Sequence, residues 1–306
     1  MFEFISGHGP ISFPGLGFEI NPPQGFTLFG KLHIQFYGLI IAIGLILAVV
    51  YGLRRSKRFG LKQDDILDGV LWIVPVAIIC ARLYYVIFEW GMYKDDPISI
   101  LYIWKGGLAI YGGVIGAAIC VVIHCKIKKI SLGAVLDLVA LGFMIGQAVG
   151  RWGNFFNREA FGAETENFLR MGLMLNADGT RSMTMHYFHP TFLYESLWNA
   201  VGFAALHFLS KKRQYDGQIA LGYVAWYGLG RTLIEGLRTD SLYIFKDWLG
   251  EVLRVSQLLA AVSCVAATAV LIVMIFRKPD REKLFVNRVA AMAAAEEAAE
   301  EAEDEE

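Results

Sequence analysis

Two stretches of this chain hold arginines inside otherwise apolar sequence. One reads Gly150-Arg151-Trp152-Gly153-Asn154-Phe155-Phe156-Asn157-Arg158-Glu159, and the other Gly230-Arg231-Thr232-Leu233-Ile234-Glu235-Gly236-Leu237-Arg238-Thr239-Asp240. In each, two arginines stand seven residues apart. Positions i and i+7 share a helix face, so Arg151, Asn154 and Arg158 form one stripe and Arg231, Glu235 and Arg238 another. Arginine's planar fork binds two phosphate oxygens at once and stays charged at physiological pH, which points to capture of an anionic phosphate group. A lone arginine could as well snorkel to lipid phosphates or pair with Glu159 or Glu235. Four together, flanked by glycine and asparagine, are costly unless used, since a charge at the bilayer centre costs about 2.5 to 3.5 kcal/mol and less towards the interface.

Other polar residues surround these stripes. Trp104-Lys105-Gly106-Gly107-Leu108-Ala109-Ile110-Tyr111-Gly112-Gly113-Val114-Ile115-Gly116 places Tyr111 between glycine pairs, where a substrate could come close. Gly112-x-x-x-Gly116 also fits plain helix–helix approach. In His189-Pro190-Thr191-Phe192-Leu193-Tyr194-Glu195, Pro190 suits a first helical turn and His189 the cap before it. Glu195 then falls about one turn inside an apolar run, where a carboxylate needs a buried partner, expected to be an arginine of the stripes. Arg82 and Asp137 read as a second, structural pair. Cys80, Cys120, Cys125 and Cys264 lie in apolar blocks without Cys-x-x-Cys spacing and read as buried thiols.

The elements that must position these residues are membrane helices. Of 306 residues 56% are hydrophobic and only 19% charged, with a mean hydropathy of +0.46, against about 25% charged in soluble domains. Apolar runs fall at 34–53, 66–88, 107–124, 132–150, 190–209, 217–236 and 252–276, each near the length of a crossing. The fold class expected is therefore an all-α polytopic membrane protein with seven transmembrane helices. Arg54, Arg55, Lys57, Arg58 and Lys62 follow the first run, and Lys126, Lys128 and Lys129 the third. Lys211, Lys212 and Arg213 follow the fifth, and Arg277, Lys278, Arg281, Lys283 and Arg288 the last. These 16 of 28 basic residues mark alternate loops as cytoplasmic, leaving the N-terminus outside and the C-terminus inside.

Residues 1–290 then form a membrane catalytic domain, with 1–33 an external arm and 151–189 a small external cap whose Asn176-to-Arg181 stretch reads as a turn. No basic and apolar leader opens the chain. Residues 291–306 form an Ala/Glu tail that reads as a solvated helix or disordered. Eight acids in the last eleven residues mask a +7 body, which is why the chain totals −1.

The Gly150-to-Gly162 run, the Gly-Gly-Leu…Tyr-Gly-Gly, His-Pro-Thr…Leu-Tyr-Glu and Arg231…Glu235…Arg238-Thr239-Asp240 segments resemble, in order over about 30 to 275, the bacterial prolipoprotein diacylglyceryl transferases. The resemblance implies an enzyme of the bacterial cytoplasmic (inner) membrane with its active site facing the outer leaflet. It would move a diacylglyceryl group from phosphatidylglycerol to the lipobox cysteine thiol of a prolipoprotein signal peptide, forming a thioether and releasing glycerol phosphate. Its partners would be these substrates and membrane lipid, with no nucleic acid, cofactor or metal. Arg151 and Arg231 would hold phosphate, Asn154 and Asn157 would bind glycerol or phosphate oxygens, and Glu159, Glu235 and Asp240 would orient the arginines. Tyr37, Tyr227, Gly162 and Arg238 resemble further lipid contacts. Several members have histidine, proposed as the base, where this chain has Tyr111. Tyrosine, with an ordinary pKa near 10, is a poorer base, so Tyr111 is expected to orient lipid, with His189 and Glu235 as candidate bases. A transporter for an anionic lipid is the rival class, opposed by the absence of repeats and the one-sided placement of polar residues. A scaffold would leave the outer arginines unexplained.

Overall fold

The computed structural model describes residues 2–5, 9–30, 32–103, 106–237, 243–244 and 253–304. Seven long helices stand where the apolar runs predicted them: α1 (Phe36–Arg55), α2 (Gln63–Phe88), then after the single turn α3 (Trp90–Tyr93), α4 (Ile110–Lys128), α5 (Leu132–Asn157), α6 (Thr191–Ser210), α7 (Gln218–Glu235) and α8 (Val255–Arg277). A further helix, α9 (Phe285–Asp304), shows the acidic tail to be helical to Asp304 and exposed over 291–302. Two boundaries differ for physical reasons. Gly106 and Gly107 hold φ of +90° and +77°, so α4 cannot begin until Ile110. At the other limit α5 runs past Gly150 to Asn157 and stops where Arg158 turns to φ +55°, because the polar residues there continue the helix instead of ending it.

Five of these segments are long and apolar enough to cross a membrane: Phe36–Phe59, Gln63–Phe88, Ile110–Lys128, Leu132–Asn157 and Gln257–Arg277. The protein is therefore a mostly helical polytopic membrane protein. Helices α6 and α7 are less apolar because they carry Glu195, Ser196, Asn199, Arg231 and Thr232.

The expectation of an all-α chain is corrected. Strands β1 (Phe2–Ile5), β4 (Gly25–Leu28) and β5 (Leu32–Gln35) form one antiparallel sheet in the order β1-β4-β5. Strands β2 (Ile11–Phe13), β3 (Phe18–Ile20), β6 (Met171–Leu175) and β7 (Arg181–Phe188) form another in the order β3-β2-β6-β7. The two-residue strands β8 (Tyr243–Ile244) and β9 (Leu253–Arg254) pair separately. Ser12 pairs with Gly172, so arm and cap, read from the sequence as separate, share one sheet. The predicted turn is present: the Asp178 carboxylate accepts from the Thr180 amide and hydroxyl, which hold its pKa below the usual carboxylate value, and Gly179 takes φ +81°.

The chain divides into two compact units. In the first (1–51, 139–214, 218–279), α1 packs on α5 through small residues: a Cβ on Gly44 would lie 3.4 Å from Gly146 Cα. Helix α8 meets α7 at Gly228, whose Cβ would fall 2.7 Å from the Ala260 carbonyl oxygen. Ile11, Phe13, Leu173 and Phe188 of the four-stranded sheet bury against Phe155 of α5 and Phe192 of α6, so the cap rests on two helix ends.

In the second unit (52–138, 215–217, 280–306), α2 and α4 approach through Gly112 and Gly116, where a Cβ would fall 2.3 Å from Tyr84 Cβ and 2.6 Å from Cys80 Cβ. This supports the helix-approach reading of Gly112-x-x-x-Gly116. Arg82 and Asp137 are not a pair. Arg82 donates to the carbonyls of Ser99, Ile100, Gly106 and Gly107, all at 2.8–2.9 Å, while Asp137 accepts from the Gly217 amide. The Asp216 carboxylate accepts from Ser131 Oγ and the Phe285 amide, which anchors the base of α9. All four cysteines are free, Cys120 and Cys125 buried.

Candidate active site

Helices α5, α6 and α7 each contribute one charged group to a cluster in the first unit. Glu195 of α6 is buried, and its Oε2 lies 2.5 Å from Arg151 Nη2 of α5 and 3.7 Å from Arg231 Nη1 of α7. The arginine side chains are 20% and 19% exposed against 5% for the carboxylate. Two guanidiniums held on a shared carboxylate at a partly open site are an arrangement suited to a phosphate. Among the described residues Glu195 is the carboxylate in contact with both arginines, the buried partner expected for the stripes. Glu159 instead accepts from Asn154 Nδ2 at 2.9 Å.

The stripes are only partly realised. Because α5 ends at Asn157, Arg158 leaves the Arg151–Asn154 face. It is 2% exposed and donates to the carbonyls of Gly9, Phe156 and Pro22 and to Asn21 Oδ1, tying the arm to the helix end. Asn157 serves the same junction, its carbonyl accepting from Gln24 Nε2. On α7, Glu235 is the last helical residue; its side chain, Arg238 and Asp240 lie outside the described residues.

Tyr37, at the start of α1, rests on Gly153, where a Cβ would fall 2.7 Å from its ring. It lies within electrostatic reach of Glu159 and Arg151. Tyr227 stacks on Tyr223 at 5.7 Å, and Tyr223 accepts from Gln147 Nε2 at 2.9 Å. Gln147 and Tyr227 each stand one turn before an arginine, Arg151 and Arg231, so the two helices carry matching polar faces.

Gly162 closes the site's frame. Its amide donates to the His189 carbonyl, the next amide donates to that of Leu237, and a Cβ would fall 2.8 Å from both His189 Cβ and the Leu237 oxygen. The loop after α5, the start of α6 and the end of α7 meet at this glycine. His189 Nδ1 faces Tyr194 Oη at 3.4 Å, and burial pushes its pKa below the ordinary 6.5, so the ring is neutral at pH 7. Tyr111 belongs to the second unit, where it is exposed at the start of α4.

Sequence reading missed the device that aligns α6 with α7. Trp198 Nε1 donates to the Trp226 carbonyl and Trp226 Nε1 to the Trp198 carbonyl, each at 3.0 Å, with the rings stacked at 4.6 Å. A Cβ on Gly230 would fall 2.1 Å from Trp198 Nε1, and one on Gly202 2.2 Å from Trp226 Nε1. The signal was present as Trp-x-x-x-Gly in both helices, Trp198 to Gly202 and Trp226 to Gly230. A slip of one residue would displace Arg231 from Glu195 by about 1.5 Å along the axis.

Residues 23–274 match a family model described as prolipoprotein diacylglyceryl transferase. A phosphatidylglycerol–prolipoprotein diacylglyceryl transferase of Enterococcus faecalis is 44% identical over 267 residues, 86% of this chain and 93% of the relative. The Bacillus velezensis protein of that name is 43% identical over 86% of this chain and 94% of its own length. That of Limosilactobacillus reuteri is 44% identical over 80% and 88%.

Proposed function

The chain belongs to the prolipoprotein diacylglyceryl transferase family, and from that premise we propose that the Arg151–Glu195–Arg231 cluster is the phosphate-binding part of its active site. The protein is a transferase acting in lipoprotein biosynthesis, moving the diacylglyceryl group of phosphatidylglycerol to a prolipoprotein. Its acceptor is the lipobox cysteine. The cysteine sulfur bonds to the glycerol carbon of the lipid, the bond from that carbon to the phosphate oxygen breaks with its electron pair on oxygen, and glycerol phosphate leaves. The thiol proton passes to a base. Negative charge thus grows on the phosphate oxygens, where two preorganised guanidiniums stabilise it most.

Arg151 and Arg231 hold the phosphate, and Glu195, in contact with both, holds the two guanidiniums together. Asn154, held with Glu159, and Tyr37 and Tyr227 line the lipid's polar end. His189 is favoured as the base because burial keeps it neutral, and therefore able to accept a proton, at pH 7. Tyr111, a poorer base than the histidine of several family members, is assigned to orient lipid and not to take the proton. Seven crossings, with α6 and α7 among them, put the basic loops in the cytoplasm and the site at the outer leaflet of the bacterial inner membrane. What carries this reading is the buried carboxylate shared by two partly open arginines. It is tested with purified protein, labelled phosphatidylglycerol and a lipobox peptide. Cysteine-dependent transfer lost in Arg151→Ala supports it. Equal labelling of a Cys→Ser peptide, or an unaffected Arg151→Ala, overturns it.

A further inference from the structure

The three-stranded sheet β1-β4-β5 leaves large apolar side chains open, an arrangement water alone would not favour. Its register sets Phe4 opposite Phe26 and Phe26 opposite Ile34, with Leu28 opposite Leu32. Strand alternation puts these five apolar side chains on one face. The other face carries Ile5, Thr27, His33 and Gln35, and there Thr27 is buried with its hydroxyl 2.9 Å from His33 Nδ1. His33 and Gln35 on that side are exposed, yet the apolar side is open as well: Phe4 is 65% and Leu32 56% exposed, with Phe26, Leu28 and Ile34 half-buried. At the hairpin tip Phe29 is 77% exposed and takes φ +55°, followed by Gly30 at +68°. A tight hairpin normally puts asparagine, aspartate or glycine at such positions. A bulky apolar residue there is not explained by the turn.

What covers this face follows from what it continues into. Gln35 ends β5 and Phe36 opens α1 without a linker, and the Phe26 ring packs on Phe36 at 5.9 Å. Along α1, Leu39, Ile41, Ile43, Leu45, Ile46 and Leu47 are all exposed, the surface a membrane helix offers to acyl chains. Across residues 25–36 the one formal charge is Lys31, which in sequence falls between β4 and β5. We propose that the sheet lies on the bilayer with this apolar face in the headgroup–acyl boundary of the leaflet where α1 begins, Phe29 reaching deepest, so that the arm is an interfacial lipid anchor. The proposal rests on α1 crossing a membrane.

The test is spin labelling of the full-length protein, its native cysteines replaced by alanine, in vesicles of phosphatidylcholine and phosphatidylglycerol. Labels are placed singly through Phe4→Cys, Phe29→Cys, Leu32→Cys, Gln35→Cys and, in α1, Ile43→Cys. Expected is relaxation by oxygen over a water-soluble nickel chelate at 4, 29, 32 and 43, and the reverse at 35. Nickel access at 4, 29 and 32 with oxygen access at 43 overturns the anchor alone. Nickel access at 43 as well overturns the membrane reading with it. Shielding from both reagents with dipolar broadening between like labels assigns the face to a second copy and overturns the lipid assignment. Phe29→Trp in the otherwise native chain gives a second measurement: its added fluorescence should be quenched by brominated phosphatidylcholine, and no added quenching over wild type counts against the anchor.

Discussion

Arg82 and Arg158 are buried in the same chain as Arg151 and Arg231, yet the two pairs do opposite things. Arg82 spends its guanidinium on four carbonyls between Ser99 and Gly107, and Arg158 donates to three carbonyls and an asparagine oxygen. Their residues are 6% and 2% exposed. Such a fork, filled by backbone, staples a loop and has no geometry left for a ligand. Arg151 and Arg231 share the Glu195 carboxylate and keep 20% and 19% of their side chains exposed. Partner type separates a structural arginine from a working one here: carbonyls close the fork around the fold, whereas a shared carboxylate holds two cations in place at a partly open site.

The contrast breaks most sharply in activity. Arg151→Ala should lower transfer to the lipobox peptide by roughly 10²- to 10³-fold, the usual cost of losing one preorganised oxyanion donor. The unfolding midpoint in detergent should move little, because Glu195 keeps Arg231. Arg158→Ala and Arg82→Ala should invert this pattern. Losing several charge-assisted hydrogen bonds costs about 3 kcal/mol or more, read as a lower thermal midpoint, with turnover of the folded fraction near wild type. Gly107→Ala should mimic Arg82→Ala, since its Cβ would fall 2.3 Å from Arg82 Nη1 and its φ is +77°.

A smaller effect is expected from the register clamp. Gly230→Ala forces the Trp198 indole aside and should reduce kcat roughly tenfold, corresponding to about 1.4 kcal/mol, with a smaller change in KM for phosphatidylglycerol. Trp198→Phe, which keeps a ring but loses the N–H, should fall between that variant and wild type. The smallest effect is in pH. His189 has its pKa below 6.5, so the acid limb of kcat/KM should lie below pH 6.5 and disappear in a residually active His189→Gln. Folding stability should fall as pH drops through 6.5, because the unfolded chain takes up a proton that the buried ring resists. An acid limb above 6.5 would reject His189 as the base.

The helices were legible because each apolar run is long enough to declare itself locally; seven runs correspond to α1, α2 and α4 to α8. The arm and cap were not, because strands of three to eight residues show little periodicity and Ser12 meets Gly172 only through a pairing across most of the chain. Within the site, the arginines and Glu195 were visible as charges in apolar sequence. The stripe through Arg158 failed because one residue with φ +55° ended the helix before it. Trp198 and Trp226 stayed unread because their matching Trp-x-x-x-Gly spacings become a register only when the two helices are set against each other.

By itself the sequence determined the helices, the family and the few charges that membrane energetics cannot leave idle, since those follow from local composition and from the cost of desolvating charge. Only the tertiary structure decided which arginines share an anion and which are filled by backbone, and that Glu195, with the loop closed at Gly162, holds the pair. Those outcomes depend on side chains from separate helices arriving within a few ångströms, set here by a reciprocal tryptophan–glycine register between α6 and α7 that one chain segment read alone does not contain.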